Sequence, residues 1–307
     1  MRSAVPDLVS NSYFPAIAAV QLGYLRDEGL AVDLDLMFPV TDAAHALRNG
    51  DIDFLAGAAH APFYADPDWS ETKLLVALSH NMYWFLVVDP KLDITRDTLA
   101  ILRNVRIGAA PGVDPGLRQL LKLEGINVAE SGITIAPVPG ADAGNVSFGV
   151  TAAEALQAGR IDAFWANGMG AEVAVRNGVG KILVDARRDG GAEAAFTFPA
   201  LMTSHRTMQD HPAAAGAAAR AIMRAQRELR AAPDLAFQVG RELFPEMEAG
   251  LITEVISRDL DYYDPSISPE SVQELIDFAA ASDLGAGSLD YGRIVAESDN
   301  PLWKVDR

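Results

Sequence analysis

Between residues 5 and 184 short apolar runs alternate with stretches of helical period, and this alternation limits the fold more than any other feature. The runs Val5–Val9, Val32–Met37 and Ile52–Ala56 read as strands. Between them lie a helix carried by Phe14, Ile17, Ala18, Leu22 and Leu25, ending near Gly29, and another at Asp42–Arg48. After a further helix come strands at Lys73–Ser79 and Trp84–Val88. Helices at Thr95–Leu102, Pro115–Glu124, Thr151–Ala158 and Met169–Asn177 then alternate with strands at Val105–Gly108, Ile133–Val138, Ile161–Trp165 and Lys181–Val184. A helix between two strands returns the chain to the same end of a sheet, so the strands pair mostly in parallel. From His205 the pattern becomes helical, with "HPAAAGAAARAIMRAQRELRAA" framed by Pro212 and Pro233 and later helices divided by Pro245, Pro265, Pro269 and Gly285.

Two segments echo each other. "LRNGDIDFLAG" (Leu47–Gly57) and "LQAGRIDAFWAN" (Leu156–Asn167) both give a helix end, a Gly, an Ile-Asp pair and a short apolar strand that stops at small or polar residues. Common helix–Gly–strand grammar can produce such an echo by chance. Two similar α/β lobes also produce it, and ligands of open α/β sheets bind beyond the carboxyl ends of the strands. Two lobes facing each other there would enclose a cleft.

Composition removes several classes of function. With 25 basic against 42 acidic residues, a net charge of −17, the chain lacks the positive surface that nucleic acids and anionic membranes require. No cysteine is present, which excludes disulfides, thiolate metal sites and cysteine nucleophiles. No apolar run approaches a membrane span, and no basic start with an apolar core and a small-residue cleavage site opens the chain. The expectation is a cytoplasmic protein if Met1 is the native start, or a signal-stripped, periplasmic one. The five histidines show no metal-ligand spacing, and neither a Gly-x-Ser-x-Gly elbow nor a phosphate-binding loop occurs. Gly168-x-Gly170 follows a strand, but Val173 holds the third glycine's place in a dinucleotide fingerprint. No cofactor and no metal are expected.

Candidate ligand contacts therefore come from strand ends. In "SNSYFPA", Asn11, Ser12 and Tyr13 supply more polar groups than one helix cap needs, which suggests that one caps, Ser12 first, and the others face the cleft. Ala59 and His60 follow the third strand in "GAAHAPFY"; His60 beside a helix start is the one catalytic candidate if the chain is an enzyme, although a lone His is more often structural. His80, Asn81 and Tyr83 lie in "SHNMYW" where the chain is expected to cross between lobes. Gly112 and Val113 join strand to helix in the second lobe, and Asn167 ends the strand matching the one before His60. Thr197 and Phe198 sit at the expected return crossover, Phe196–Leu201.

The stretch "NSYFPAIAAVQLGYLRDEGLAVDL" resembles the opening of substrate-binding proteins of the nitrate–sulfonate–taurine type, a superfamily that includes the thiamine-pyrimidine synthases. Gly23, Tyr24, Leu25, Glu28, Gly29 and Leu30 fit its pattern, and Gly50–Asp53 and Gly159–Asp162 match its turns. The resemblance implies a type II periplasmic-binding fold: two α/β lobes with mixed, mostly parallel sheets, two crossover strands and a helical C-terminal tail. It implies lobes of residues 1–86 with 197–307 and of 87–196. The expected role is a monomeric solute-binding protein that captures a small organic molecule, a carboxylate or sulfonate with an aromatic part, for an ABC permease. The alternative is a cytoplasmic lyase of the same fold acting on a small cyclic carboxylate. The cysteine-rich loop of the pyrimidine synthases is absent.

Overall fold

In the computed structural model, which describes residues 1–141, 147–285 and 288–296, the strands form two five-stranded sheets. The first is ordered β2 (Asp33–Leu36), β1 (Arg2–Val5), β3 (Phe54–Ala58), β10 (Pro199–Ser204), β4 (Thr72–Ala77). The second is ordered β7 (Thr134–Ala136), β6 (Arg106–Ala109), β8 (Ala163–Asn167), β5 (Trp84–Val88), β9 (Lys181–Asp185). β1 runs parallel to β2 and β3, and β6 runs parallel to β7 and β8. Each sheet also takes in one antiparallel strand, β10 against β3 and β4, and β5 against β8 and β9. These are the two crossover strands: each carries the chain into one sheet after it has left the other.

Helices α1 (Phe14–Gln21), α2 (Tyr24–Asp27) and α3 (Val40–Asn49) belong to the first lobe. In the second are α4 (Asp114–Leu123), α5 (Phe148–Gln157) and α6 (Gly168–Arg176). After β10 come α7 (His205–Asp210), α8 (Pro212–Ala231), α9 (Leu235–Leu243), α10 (Glu246–Asp259), α11 (Pro269–Ala281) and α12 (Tyr291–Ile294). The alanine-rich face of α8, with Ala215, Ala218, Ile222 and Leu229 buried, packs close against α1, because small side chains let the helix axes approach. Among the described residues no helix is long and apolar enough to cross a membrane.

The echoed segments occupy equivalent places. α3 ends at Gly50 (φ 81°), and α5 is followed by Gly159 (φ 67°), both in the left-handed conformation that lets the chain turn straight into a strand. The Asp53 carboxylate then accepts from the Arg2 amide at 2.8 Å while the Asp53 amide donates to the Arg2 carbonyl at 2.9 Å. Asp162 repeats both bonds with Arg106, at 2.8 and 2.9 Å. Each Gly-x-Ile-Asp turn thus sets the register of its strand on the neighbouring parallel one.

Three local expectations change. The first strand is Arg2–Val5, not Val5–Val9: Pro6 has no amide for the ladder, and the Asp7 carboxylate turns back to accept from the Val9 amide at 3.0 Å. Gly23 (φ 78°) splits the first helix into α1 and α2. Residues 96–101 form a 3-10 helix, closed at its start by reciprocal bonds between Thr95 and Thr98. The C-terminal helices also reach across the lobes. α10 lies against α6, with Glu172 pairing with Arg258 at 2.5 Å, and Asp259 receives both Arg187, at 3.2 Å, and Arg188.

Candidate functional site

Because β1 stops at Val5, residues 6 to 13 lie beyond a parallel strand's carboxyl end, and all but Leu8 are buried. They meet the ends of β6 and β8 from the other lobe. Between the lobes is a cavity of about 40 Å3, space for two or three waters. Pro6, Asp7, Tyr13, Phe38 and Val40 line it from the first lobe. Ala110, Val113, Phe148, Ala166 and Asn167 line it from the second, and Trp84 at the start of crossover strand β5 closes it.

Among the described residues Asp7 is the only Asp, Glu, Lys, Arg or His side chain of that lining. It is 5 % exposed and accepts hydrogen bonds across the cleft from Ser147 Oγ at 3.0 Å and Asn167 Nδ2 at 2.8 Å, besides that from Val9. Burial pushes its carboxyl up to about 8, against the pull of these donors and of the Gly149 amide, which all favour the anion. The second lobe's partners are well fixed. Asn167 ends β8 and caps α6, its Oδ1 accepting from the amides of Met169 (3.1 Å) and Gly170 (3.2 Å), so Nδ2 is the atom left to donate to Asp7. Ser147 caps α5 in the same way.

The walls are aromatic. Phe38 and Phe148 stack across the cleft with centroids 5.9 Å apart and planes at 15°. Tyr13 and Tyr83 share a hydroxyl–hydroxyl bond of 2.9 Å, and burial raises both phenols. Trp84 leans on Tyr83 at 4.9 Å.

His60 is completely buried and ties the lobes together just outside the cavity. Its Nε2 is 2.6 Å from the Gly112 carbonyl, which can only accept, so Nε2 carries the proton; Nδ1 then accepts from the Thr197 hydroxyl at 3.0 Å. Burial lowers its pKa to about 4, leaving the ring neutral. The cause is desolvation rather than the helix-start dipole expected from sequence, and both nitrogens are engaged.

Of the candidates read from sequence, Tyr13, Val113 and Asn167 line the cavity, while Tyr83, His60, Gly112 and Thr197 support it from behind. Ala59 is buried, its amide bonded to the Phe198 carbonyl at 2.8 Å. His80, Asn81, Thr197 and Phe198 border a separate depression near Ser266 and Glu274, where the exposed Asn81 takes a left-handed φ of 63°. Asn11 points elsewhere: its Nδ2 donates to Asp259 at 2.5 Å beside α10. Ser12 does not cap α1, because Pro15 lacks an amide and the Ala16 amide already donates to the Tyr13 carbonyl at 3.0 Å. Asp7, Phe38 and Phe148 were not among the candidates. Asp7 was hidden inside a supposed strand, although Pro6 signals that the strand stops there. Among the described residues no cluster of three or more His, Asp or Glu side chains is placed to hold a metal ion.

No protein-family model and no curated protein matches the sequence. Comparison with solved structures is more informative. A Bordetella bronchiseptica RB50 protein superposes with a TM-score of 0.78 over 97% of this chain and 94% of its own, at 20% identity. The alkanesulfonate-binding protein SsuA of Xanthomonas axonopodis pv. citri, bound to MOPS, gives 0.70 over 96% and 95%, at 16% identity. The chain has the type II periplasmic-binding-protein fold. That fold is also used by an enzyme: a Cys-to-Ser mutant of the desulfurization enzyme DSZB, in complex with biphenyl-2-sulfinic acid, matches with a TM-score of 0.69 over 97% of both chains, at 15% identity. At such identities the likeness extends to architecture, and the ligand must be argued from the cavity.

Proposed function

We propose that this chain is a solute-binding protein that encloses a small organic molecule between its lobes and presents it to an ABC-type permease, as a monomer in the periplasm. The observation that carries the reading is the cavity where the carboxyl ends of both sheets converge, lined from both lobes and from crossover strand β5. In this reading the bodies that close are residues 1–86 with 197–307 and residues 87–196, and β5 and the approach to β10 bend between them. The cavity is too small for a ring-bearing ligand, so the lobes part to admit one, breaking the bonds from Asp7 to Ser147 and Asn167 and from His60 to Gly112, and reclose around it. Ligand at 100 times its dissociation constant stabilises such a protein by about 2.7 kcal/mol. A thermal-shift screen of small carboxylates, sulfonates, amines and neutral heterocycles, with X-ray scattering on each hit, tests the proposal. A hit should raise the melting temperature and narrow the spread of molecular dimensions. If no compound binds in the cavity and the scattering profile never responds, the reading is wrong.

One observation favours a second reading. A buried carboxyl that holds its proton near neutral pH is a general-acid candidate, so if the chain is a lyase the acid is Asp7 rather than the fully tied His60. Product formed from a bound compound by the wild type, and lost in Asp7→Asn with binding retained, would establish it.

A further inference from the structure

We propose that the interlobe cavity selects an organic cation, a quaternary ammonium or protonated nitrogen base, whose positive charge is received by Asp7 inside a cage made by Tyr13, Phe38, Trp84 and Phe148. The inference rests on the solute-binding reading above and names the ligand class for the same cavity.

Three observations converge on it. The first is charge. Among the described residues Asp7 is the only ionisable group of the lining apart from the Tyr13 phenol, and no lysine or arginine reaches the cavity. A carboxylate or sulfonate ligand would therefore meet an acidic group and no cation, and anion capture is served by a cation. The second is the aromatic wall. Phe38 and Phe148 come from opposite lobes and stack across the cleft, Tyr13 and Trp84 line the same cavity, and aromatic faces carry the negative potential that attracts alkylammonium groups. The third is the state of Asp7. Every polar group bonded to it is a neutral donor: Val9, Gly149, Ser147 and Asn167. They orient the carboxyl but bring no countercharge, so burial keeps the proton on it. A bound cation would supply the missing charge, and Asp7 would give up its proton as the ligand enters. The remaining titratable groups nearby, Tyr83 and His60, are respectively a phenol raised far above neutrality and an imidazole neutral above about 4, so neither competes for this role.

Coupling to a proton gives the proposal a signature that simple electrostatic attraction to an acidic protein lacks. The probes are tetramethylammonium, choline and benzyltrimethylammonium, which carry a permanent charge, with benzoate and benzenesulfonate as anionic counterparts of the aromatic member. Calorimetric titration between about pH 6 and pH 9 should show cation binding that strengthens about tenfold per pH unit below the Asp7 pKa and levels off above it. At pH 9, where the wild-type site is ionised, Asp7→Asn should weaken cation binding by roughly 30-fold or more, and it should abolish the pH dependence while unfolding cooperatively. Phe148→Leu, which removes one wall without touching the charge, should weaken the cations and keep the pH slope. Anion binding with no response to the cations overturns the inference but leaves solute capture standing. So does cation binding that is unchanged in Asp7→Asn. Silence from all five probes overturns the cation assignment, and the wider screen then decides whether solute capture falls with it.

Discussion

Asp7 makes a prediction about stability that needs no ligand. Its carboxyl titrates near 3.8 when exposed and at about 8 in the fold, with burial as the leading cause. The folded state therefore favours the protonated form. The stability this contributes is fully present below about pH 4 and is lost as pH rises, until about pH 8, above which both states are ionised. Across that window the loss is about 1.4 kcal/mol per pH unit for one proton. Between pH 4 and pH 7 this accumulates to roughly 4 kcal/mol, less whatever the site recovers by admitting water. Asp7→Asn keeps the shape and the neutral, hydrogen-bonding character of the protonated acid but cannot ionise. The variant should lack this slope. Urea denaturation of both proteins at pH 5, 6, 7 and 8 isolates it, because the chain's other carboxylates titrate alike in the two and cancel in the difference. The variant should gain on the wild type by about 1.4 kcal/mol for each pH unit from 5 to 7. Stability curves that run parallel would show that Asp7 is ionised in the fold and would refute the account of its environment.

His60→Ala leaves the Gly112 carbonyl and the Thr197 hydroxyl without their partner and should cost about 2–3 kcal/mol in denaturant unfolding. That cost should be constant above pH 6.5 and shrink below it, since an unfolded His60 takes up its proton near 6.5 and the folded one only near 4. Gly112→Ala places a methyl 2.7 Å from Val40 Cγ1 across the cleft at a residue with φ of 82°; it should cost about 1–3 kcal/mol and act as a wedge, seen as a larger ligand-free radius by scattering. Asp259→Asn leaves Arg187, itself buried, without its carboxylate, while Arg188 keeps Asp185; it should lower stability by about 3–5 kcal/mol in thermal or urea unfolding.

The lobes were legible in the sequence because their signals are local. Glycines at 50 and 159 stop helices by adopting a conformation other residues avoid, and Asp53 and Asp162 each bond the first residue of the adjoining strand, so the turn carries its own register. The cavity was only partly legible. Tyr13, Val113 and Asn167 sit at strand ends, which a reading of strand boundaries reaches. Asp7 was lost to an error of four residues in placing the end of β1, and that error hid the acidic group of the site. Phe38 and Phe148 form their stack from separate lobes, and no spacing in the chain marks two aromatics as partners when only tertiary closure brings them together. Ser12 shows the converse: its residue type suits a cap, but Pro15 and the Tyr13 carbonyl leave it no amide to bind.

The carboxyl at position 7 also distinguishes this cavity from a merely well-packed interface. A buried acid with no countercharge destabilises the fold at neutral pH, a cost that asparagine would avoid, although its Nδ2 could accept from none of these donors. The second lobe nevertheless spends two well-positioned groups on it, Asn167 with its other end fixed by capping α6, and Ser147 at the start of α5. Stability is commonly sacrificed where a site must meet a charge that arrives from outside. Asp7 also bonds across the cleft, so in the proposed solute-binding cycle the groups that orient it are those that would move if the lobes parted. Opening would return the carboxyl to water and restore its charge, which is the state that attracts a cation. Closing without a cation forces a proton onto it, and closing with one leaves it paired. The same residue would then help select the ligand and bias the lobes toward closure, and above about pH 8 the ligand-free closed form should be the one that loses most.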